Sequence, residues 1–342
     1  MSKNKTPLGI FTESIGLYFS NFDKFINFMS FPVLGQIGGL VIIFTLVSLF
    51  INTVPKAIQI FPALNNTFML ILLLILLILP GLAIFLKAFW EYLIAYGAVN
   101  SMLENMLKSG KVYDFDAHTE LIKRRAIPFI GLWTLFGIYS LISVIPFFWV
   151  IGAVFAIFFV LIFQVFTYES ELSPIGCAKR SLELIKGHFA STFMLMALIG
   201  ALTYVLIPQL INLFCEYTYI TKFLSNLVIP IINNLPLSEF NSLLSYLYLP
   251  GLDSEKLSLF FVTSFVAQIF IQYTLPMRSI LWGMWYKELN GGKLGVAKEQ
   301  TKSRKKVKKP SEKLMESSHK KYSSKKLDRN ILRRAMEKDD ES

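Results

Sequence analysis

Charged side chains fall so unevenly along this chain that the apolar runs between them define its architecture. Residues 25–55 and 57–86 contain no Asp, Glu, Lys or Arg, and a third uncharged run covers 43 positions from Ala126 to Tyr168. In lipid every backbone N–H and C=O must be satisfied internally, so an uncharged run of about 20 residues predicts a helix crossing a hydrocarbon core about 30 Å thick. Spans are expected at Ser30–Ile51 and at Phe68–Leu86, the second interrupted at Pro80-Gly81. Gly35, Gly38 and Gly39 offer close-packing positions in the first. At about 1.5 Å per residue, the 126–168 run amounts to about 65 Å of helix, twice a bilayer core. That length predicts a hairpin turning at Pro146, with spans at about 127–145 and 149–168. Residues 189–215 and 257–277 bring the expected number of spans to six, with Pro208 and Pro276 inside the last two. Membrane helices tolerate such prolines where neighbours satisfy the freed carbonyls.

Each expected hairpin follows a segment of helical periodicity and mixed charge. The segments are Leu8–Met29, with Ile10, Phe11, Ile15, Leu17, Tyr18, Phe22, Phe25 and Phe28 as its stripe, then about Ala98–Arg125, then Ser173–Phe189. Such helices are expected at the interface, apolar face toward acyl chains and Lys/Arg toward phosphates. The arrangement reads as an amphipathic helix plus two spans, repeated three times. A weak echo links residues 21–40 with 183–202, and both duplication and chance convergence stay open for it. Residues 216–256 predict short interfacial helices broken at Pro230, Pro236 and Pro250-Gly251, packed on the bundle or capping the outer mouth of a cavity.

Composition agrees with this all-α, polytopic reading: 54% hydrophobic and 17% charged, against roughly 25% charged in soluble domains. The net charge of +11 is concentrated at one end. Residues 290–342 hold 17 Lys/Arg and 8 Asp/Glu, whereas the preceding chain holds 17 and 15. The excess is a basic tail, expected to be disordered, rather than the surface of a DNA-binding domain. The predicted organisation is a cytoplasmic amphipathic segment at 1–29, a six-span membrane domain at 30–289 and a disordered basic cytoplasmic tail at 290–342. Lys3, Lys5, Lys24, Lys108, Lys111, Lys123, Arg124, Arg125, Lys179, Arg180 and Lys186 fall on the tail's side, against Lys56, Lys222 and Lys256 opposite. The positive-inside rule therefore predicts cytoplasmic N and C termini, in a bacterial plasma membrane.

Ionisable residues at membrane depth are functional candidates by default. Here they are Lys87, Glu91 and Arg278, expected near the cytoplasmic interface with Gln164, Gln268 and Gln272 deeper. They read either as a polar cluster lining an inner vestibule or as snorkelling anchors, with Lys87 and Glu91 as an i,i+4 pair. No catalytic set emerges, so the chain is expected not to be an enzyme and to need no cofactor. His118, His188 and His319 fall in three separate segments, without metal-ligand spacing. Cys177 and Cys215 belong at opposite membrane faces, too far apart to bridge. Asp114, Asp116, His118 and Glu120 alternate in what reads as a solvated loop.

Residues 168–193 read YESELSPIGCAKRSLELIKGHFASTF. The spacing of Ser173, Pro174, Ala178, Arg180, Ser181, Leu184, Lys186, Gly187 and Phe189 resembles a bacterial family of six-helix membrane proteins of uncharacterised function. It includes YciC-like inner-membrane proteins and the membrane domain fused to some glycerophosphodiester phosphodiesterases. TLPMRSILWGMWYKEL at 274–289 resembles that family's closing span, with Pro276 and Tyr286 at matching positions. The resemblance implies a fold and no activity. Read physically, Ser173 caps a helix that accepts Pro174 in its first turn. Lys179, Arg180 and Lys186 then reach lipid phosphates, Ile175, Leu182 and Ile185 face acyl chains, and Gly187 ends the helix. The expected function is binding or moving a lipid or small solute, with membrane lipids and anionic head groups as partners. The alternative is a scaffold or insertion factor whose tail docks on an acidic protein or the ribosome by phosphate neutralisation.

Overall fold

The structure, a computed structural model, describes residues 6–62, 66–112, 114–145, 148–233, 237–246 and 248–294. The expected turn at Pro146, the break at Pro236 and the basic tail beyond residue 294 lie outside the described residues. In chain order the helices are α1 (Pro7–Phe19), α2 (Phe22–Ile60), α3 (Thr67–Ser109), α4 (Phe115–Lys123), α5 (Ala126–Val144), α6 (Trp149–Phe159) and α7 (Ile162–Tyr168). They continue as α8 (Pro174–Ile185), α9 (Phe189–Gly200), a π-helix (Ala201–Leu206), α10 (Ile207–Tyr217), α11 (Ile220–Ile232), α12 (Leu237–Tyr246), α13 (Ser254–Tyr273) and α14 (Leu275–Leu289). No strand occurs among the described residues. Five helical stretches there are long and apolar enough to cross a membrane: Phe22–Ile60, Thr67–Ser109, Trp149–Tyr168, Phe189–Tyr217 and Ser254–Tyr273. The α5 helix adds 19 residues without a charge.

Local chemistry sets the helix ends. Thr6 and Ser173 play the same part at α1 and α8: each hydroxyl accepts from the backbone N–H three residues on at 3.2 Å, and a proline occupies the first turn. Gly110, left-handed at φ 67°, closes α3 and donates its N–H to the Met106 carbonyl. Gly187 (φ 89°) turns the chain from α8 into α9. The proline expected inside the span at 257–277 instead sits in the first turn of α14, after a break at Thr274, where its missing N–H costs nothing. Pro208 follows the π-helix, where the altered bonding pattern relieves the ring's clash with the preceding turn.

Two long helices depart from the expected boundaries. Pro80-Gly81 does not interrupt α3, which runs unbroken for 43 residues, about 64 Å and twice a bilayer core. The surface helix expected from Ala98 is therefore the continuation of the span, and its Ile94, Ala98, Val99, Met102, Leu103 and Met106 are fully buried. Likewise α2 starts at Phe22, so the first amphipathic segment divides at Ser20-Asn21 rather than ending at Met29. The Asn21 side chain ties that corner to the end of α3, donating to the Gly110 carbonyl and accepting from the Val112 N–H, both at 3.0 Å.

These inner ends create a core that the amphipathic helices cover. From Leu275 to Tyr286, α14 is buried on nearly every side, with Arg278 half-buried. It lies against α1, α3, α7 and α8. The apolar stripes of α1 (Ile10, Tyr18), α4 (Ile122) and α8 (Cys177, Leu184, Ile185) join this core. They face protein rather than acyl chains, because the inner half of α3 together with α14 offers a drier surface than the headgroup region. The outer halves of α2 and α3, in contrast, expose Phe44, Leu49, Leu72 and Leu76.

Within the bilayer α2 and α3 meet through small residues, as expected for Gly35 and Gly39 but not for Gly38. A Cβ on Gly39 would lie 2.7 Å from the Phe85 backbone nitrogen and 2.8 Å from the Gly81 carbonyl, and one on Gly35 would lie 2.8 Å from the Ala88 Cβ. A Cβ on Gly38 meets nothing within 4 Å. Gly39→Leu should therefore push the backbones apart and cost about 1–3 kcal/mol, while Gly38→Leu stays within about 0.5 kcal/mol. Thermal unfolding of the two variants in detergent checks this contrast.

Candidate functional site

Polar side chains gather along the inner half of α3 at three successive levels. Furthest along the chain direction, Glu169 follows directly on the long uncharged run and ends α7. Its Oε1 accepts from the Arg180 Nε at 3.2 Å and from the Tyr286 hydroxyl at 2.9 Å. Arg180 also reaches Glu183 at 3.3 Å and the Asn290 Oδ1 at 3.2 Å. Burial first, and then the Glu169 carboxylate, raise the Tyr286 phenol above its ordinary value. Arg180 is thus a strut joining α7, α8 and the end of α14. The sequence placed it on the polar face of α8 but gave no sign that Glu169 and Asn290 would close over it.

The rest of the α8 motif is structural as well. Ser181 Oγ donates at 2.7 Å to the Phe158 carbonyl, left open where α6 gives way to α7. Arg125 donates to the Phe166 and Ser170 carbonyls at 2.7 and 3.0 Å and stacks on the Phe166 ring at 4.0 Å, a cation set against the C-terminus of α7. Ile185, expected to face acyl chains, is fully buried, whereas Ile175 and Leu182 are exposed. Lys179 and Lys186 are exposed, without an ion-pair partner among the described residues.

At the middle level Asn100, Gln164 and Ser279 are completely buried. Ser279 Oγ donates to Asn100 Oδ1 at 2.7 Å; Gln164 Nε2 lies 3.3 Å from the same oxygen and 3.3 Å from the Tyr96 hydroxyl. Tyr168 donates to the Asn100 carbonyl. Asn100 Nδ2 and Gln164 Oε1 have no partner, at a cost of about 1–3 kcal/mol each. Gln164 thus belongs to a network that sequence reasoning missed, while Gln268 and Gln272 lie apart from it on α13. The spacing of Tyr96, Asn100 and Leu103 down one face of α3 was the available signal, since a lone amide in an apolar stripe requires partners.

At the third level, Lys87, Glu91 and Arg278 do not form one cluster. Lys87 lies over the Phe31 ring at 5.3 Å. Glu91 pairs with Lys123 of α4 at 3.1 Å, in place of the expected pairing with Lys87. Arg278 donates to the Tyr204 hydroxyl and, at 3.2 Å, to the Ile271 carbonyl. For Glu91, the partner on neighbouring α4 takes the place of the one four residues back on its own helix.

The acidic loop proves to be a helix. Asp114 caps α4 by accepting from the Ala117 N–H at 3.3 Å, and Glu120 pairs with Arg124 at 3.3 Å. His118 Nδ1 lies 2.6 Å from the Ser101 hydroxyl. Among the described residues, no three His, Cys, Asp or Glu side chains are placed to share a metal ion.

These features define a multi-pass, all-helical membrane protein whose inner ends are cross-braced by buried polar contacts. Comparisons with protein-family models, with curated proteins and with solved structures gave no match.

Two outcomes follow. Glu169→Gln and Arg180→Gln should each destabilise by about 1 kcal/mol, discounted for partial exposure, and lower the melting temperature in detergent, whereas Lys179→Gln and Lys186→Gln leave it unchanged. Burial pushes the Cys177 thiol up to about 11, so the folded protein disfavours the thiolate, which is the nucleophile. Below pH 9 Cys177 should stay unlabelled by maleimide in the native state and react on denaturation, as read by peptide mass spectrometry.

Proposed function

We propose that this is a non-enzymatic membrane protein that holds a lipid acyl chain beside the α5–α6 hairpin. In this reading the chain crosses a bacterial plasma membrane six times with both termini in the cytoplasm, as its resemblance to the six-helix family implies. The observation that carries the proposal is a pair of adjoining recesses of about 150 and 410 Å³ sharing Leu135, Tyr139 and Phe159. Their further lining is apolar, from Ile138, Phe155 and Ile162 to Ile175 and Ala178 of α8. Tyr139 spends its hydroxyl on the Gly152 carbonyl, which leaves its ring as wall. A recess without a free polar partner suits a hydrocarbon chain and penalises a polar solute. Lys179, next to Ala178 and exposed, supplies a cation for a headgroup.

Ala178→Trp fills the first recess and should reduce co-purified lipid, counted by native mass spectrometry, at least about tenfold while the melting temperature holds. Unchanged lipid content in that variant rejects the acyl-chain reading. For the topology, reporters fused at Lys111 and Lys186 should be cytoplasmic and one at Ser238 external; an external signal at Lys186 breaks the six-span scheme.

A further inference from the structure

Arg278 does not behave as a snorkelling anchor. It lies in the first turns of α14, just past the Thr274 break that ends α13. That span is 20 residues, about 30 Å, and its opposite end carries the Asp253–Lys256 ion pair at 3.0 Å. Arg278 therefore sits at the other membrane face. Tyr92 of α3 faces it, next in sequence to Glu91, where α3 changes from apolar to charged.

A helical side chain points back toward the N-terminus of its helix. Here that direction leads toward the membrane end of α14, and the guanidinium is held there. It donates to the Ile271 carbonyl in the last turn of α13 and to the Tyr204 hydroxyl, and stacks on the Tyr204 ring at 5.2 Å. Tyr204 belongs to the π-helix Ala201–Leu206, a local departure of the kind that re-aims side chains at functional positions.

The fork is fixed, and its charge meets the partial negative end of α13 but no carboxylate. Glu91, the acid nearest in sequence to Tyr92, pairs with Lys123. Arg278 has no carboxylate within ion-pair distance among the described residues, and its Nε is buried without a partner. The N-terminus of α14 adds its own partial positive charge. A pre-oriented guanidinium without a carboxylate at the depth of lipid headgroups suits an anion.

We propose that Arg278, with Tyr204 and Tyr92, binds a phosphate group, carried by a phospholipid headgroup or free in solution. This goes beyond the acyl-chain reading and uses residues that line neither recess, so either proposal can fail alone.

The test titrates the full-length protein in detergent with phosphatidylglycerol, with diacylglycerol and with inorganic phosphate, following occupancy by native mass spectrometry. Arg278→Gln should weaken phosphatidylglycerol at least about tenfold and leave diacylglycerol unchanged; this result assigns the phosphate to lipid. Loss of inorganic phosphate binding alone supports the same site with a soluble occupant. Ala178→Trp, by contrast, should spare inorganic phosphate and leave the Arg278-dependent gap between phosphatidylglycerol and diacylglycerol in place. Equal affinity of wild type and Arg278→Gln for both phosphate-bearing probes overturns the proposal. Should Arg278→Gln fold poorly, Arg278→Lys keeps the charge and loses the fork. An affinity between wild type and about tenfold weaker supports the site, and wild-type affinity overturns it.

Discussion

A helix that is apolar on every side needs protein on every side, and α14 is such a helix. Its Met277, Ile280, Leu281, Trp282, Met284, Trp285 and Tyr286 point in all directions and are all buried. Lipid would accept that surface, but α14 follows a span that has already crossed the bilayer, so the surroundings must come from the chain itself. This is why α3 extends so far past its membrane segment and why α1, α4 and α8 turn their stripes inward. Gly283 marks how closely the pieces approach: a Cβ there would stand 2.5 Å from the Leu103 side chain.

Shape alone does not fix the order of this inner core, and polar contacts supply the register. Asn100 and Ser279 align α3 with α14, Trp285 Nε1 donates at 3.0 Å to Thr192 of α9, and Tyr18 donates at 3.1 Å to the Tyr273 carbonyl. Each bond is worth only about 1 kcal/mol. Sliding any of these helices by a turn would strand several buried donors at once, a much larger penalty than the bonds' own worth. The Glu169–Arg180 strut is partly exposed and contributes less in energy than in position, linking three helix ends through one guanidinium.

Division of labour along the helices follows from this arrangement. The outer halves of α2 and α3 touch each other through Gly39 and Gly81 and otherwise present leucine, isoleucine and phenylalanine outward. Without a hydrophobic drive between helices in lipid, small residues and close backbones hold such a pair. The break expected at Pro230 does not occur, since α11 runs through that proline to Ile232, and Ser225 and Ser258 share a buried 2.5 Å hydrogen bond that joins α11 to α13. Buried polar cross-links are concentrated around the second half of α3 and α14.

The sequence by itself determined that the chain is helical and membrane-embedded, because uncharged runs of that length have no other solution in lipid. It also placed the cap at Ser173, the turn at Gly187 and two of the three expected close-packing glycines of α2, Gly35 and Gly39, since each depends only on residues a turn away or on the absence of a side chain. Partners distant along the chain were decided by the tertiary structure. Asn290 lies 110 residues from Arg180, and Ser279 lies 179 from Asn100. No periodicity encodes such a meeting. Which way an amphipathic stripe faces was likewise undecidable locally, because an apolar face is satisfied equally by acyl chains or by protein. The second half of α3 and the buried α14 settled that choice by offering the larger apolar surface.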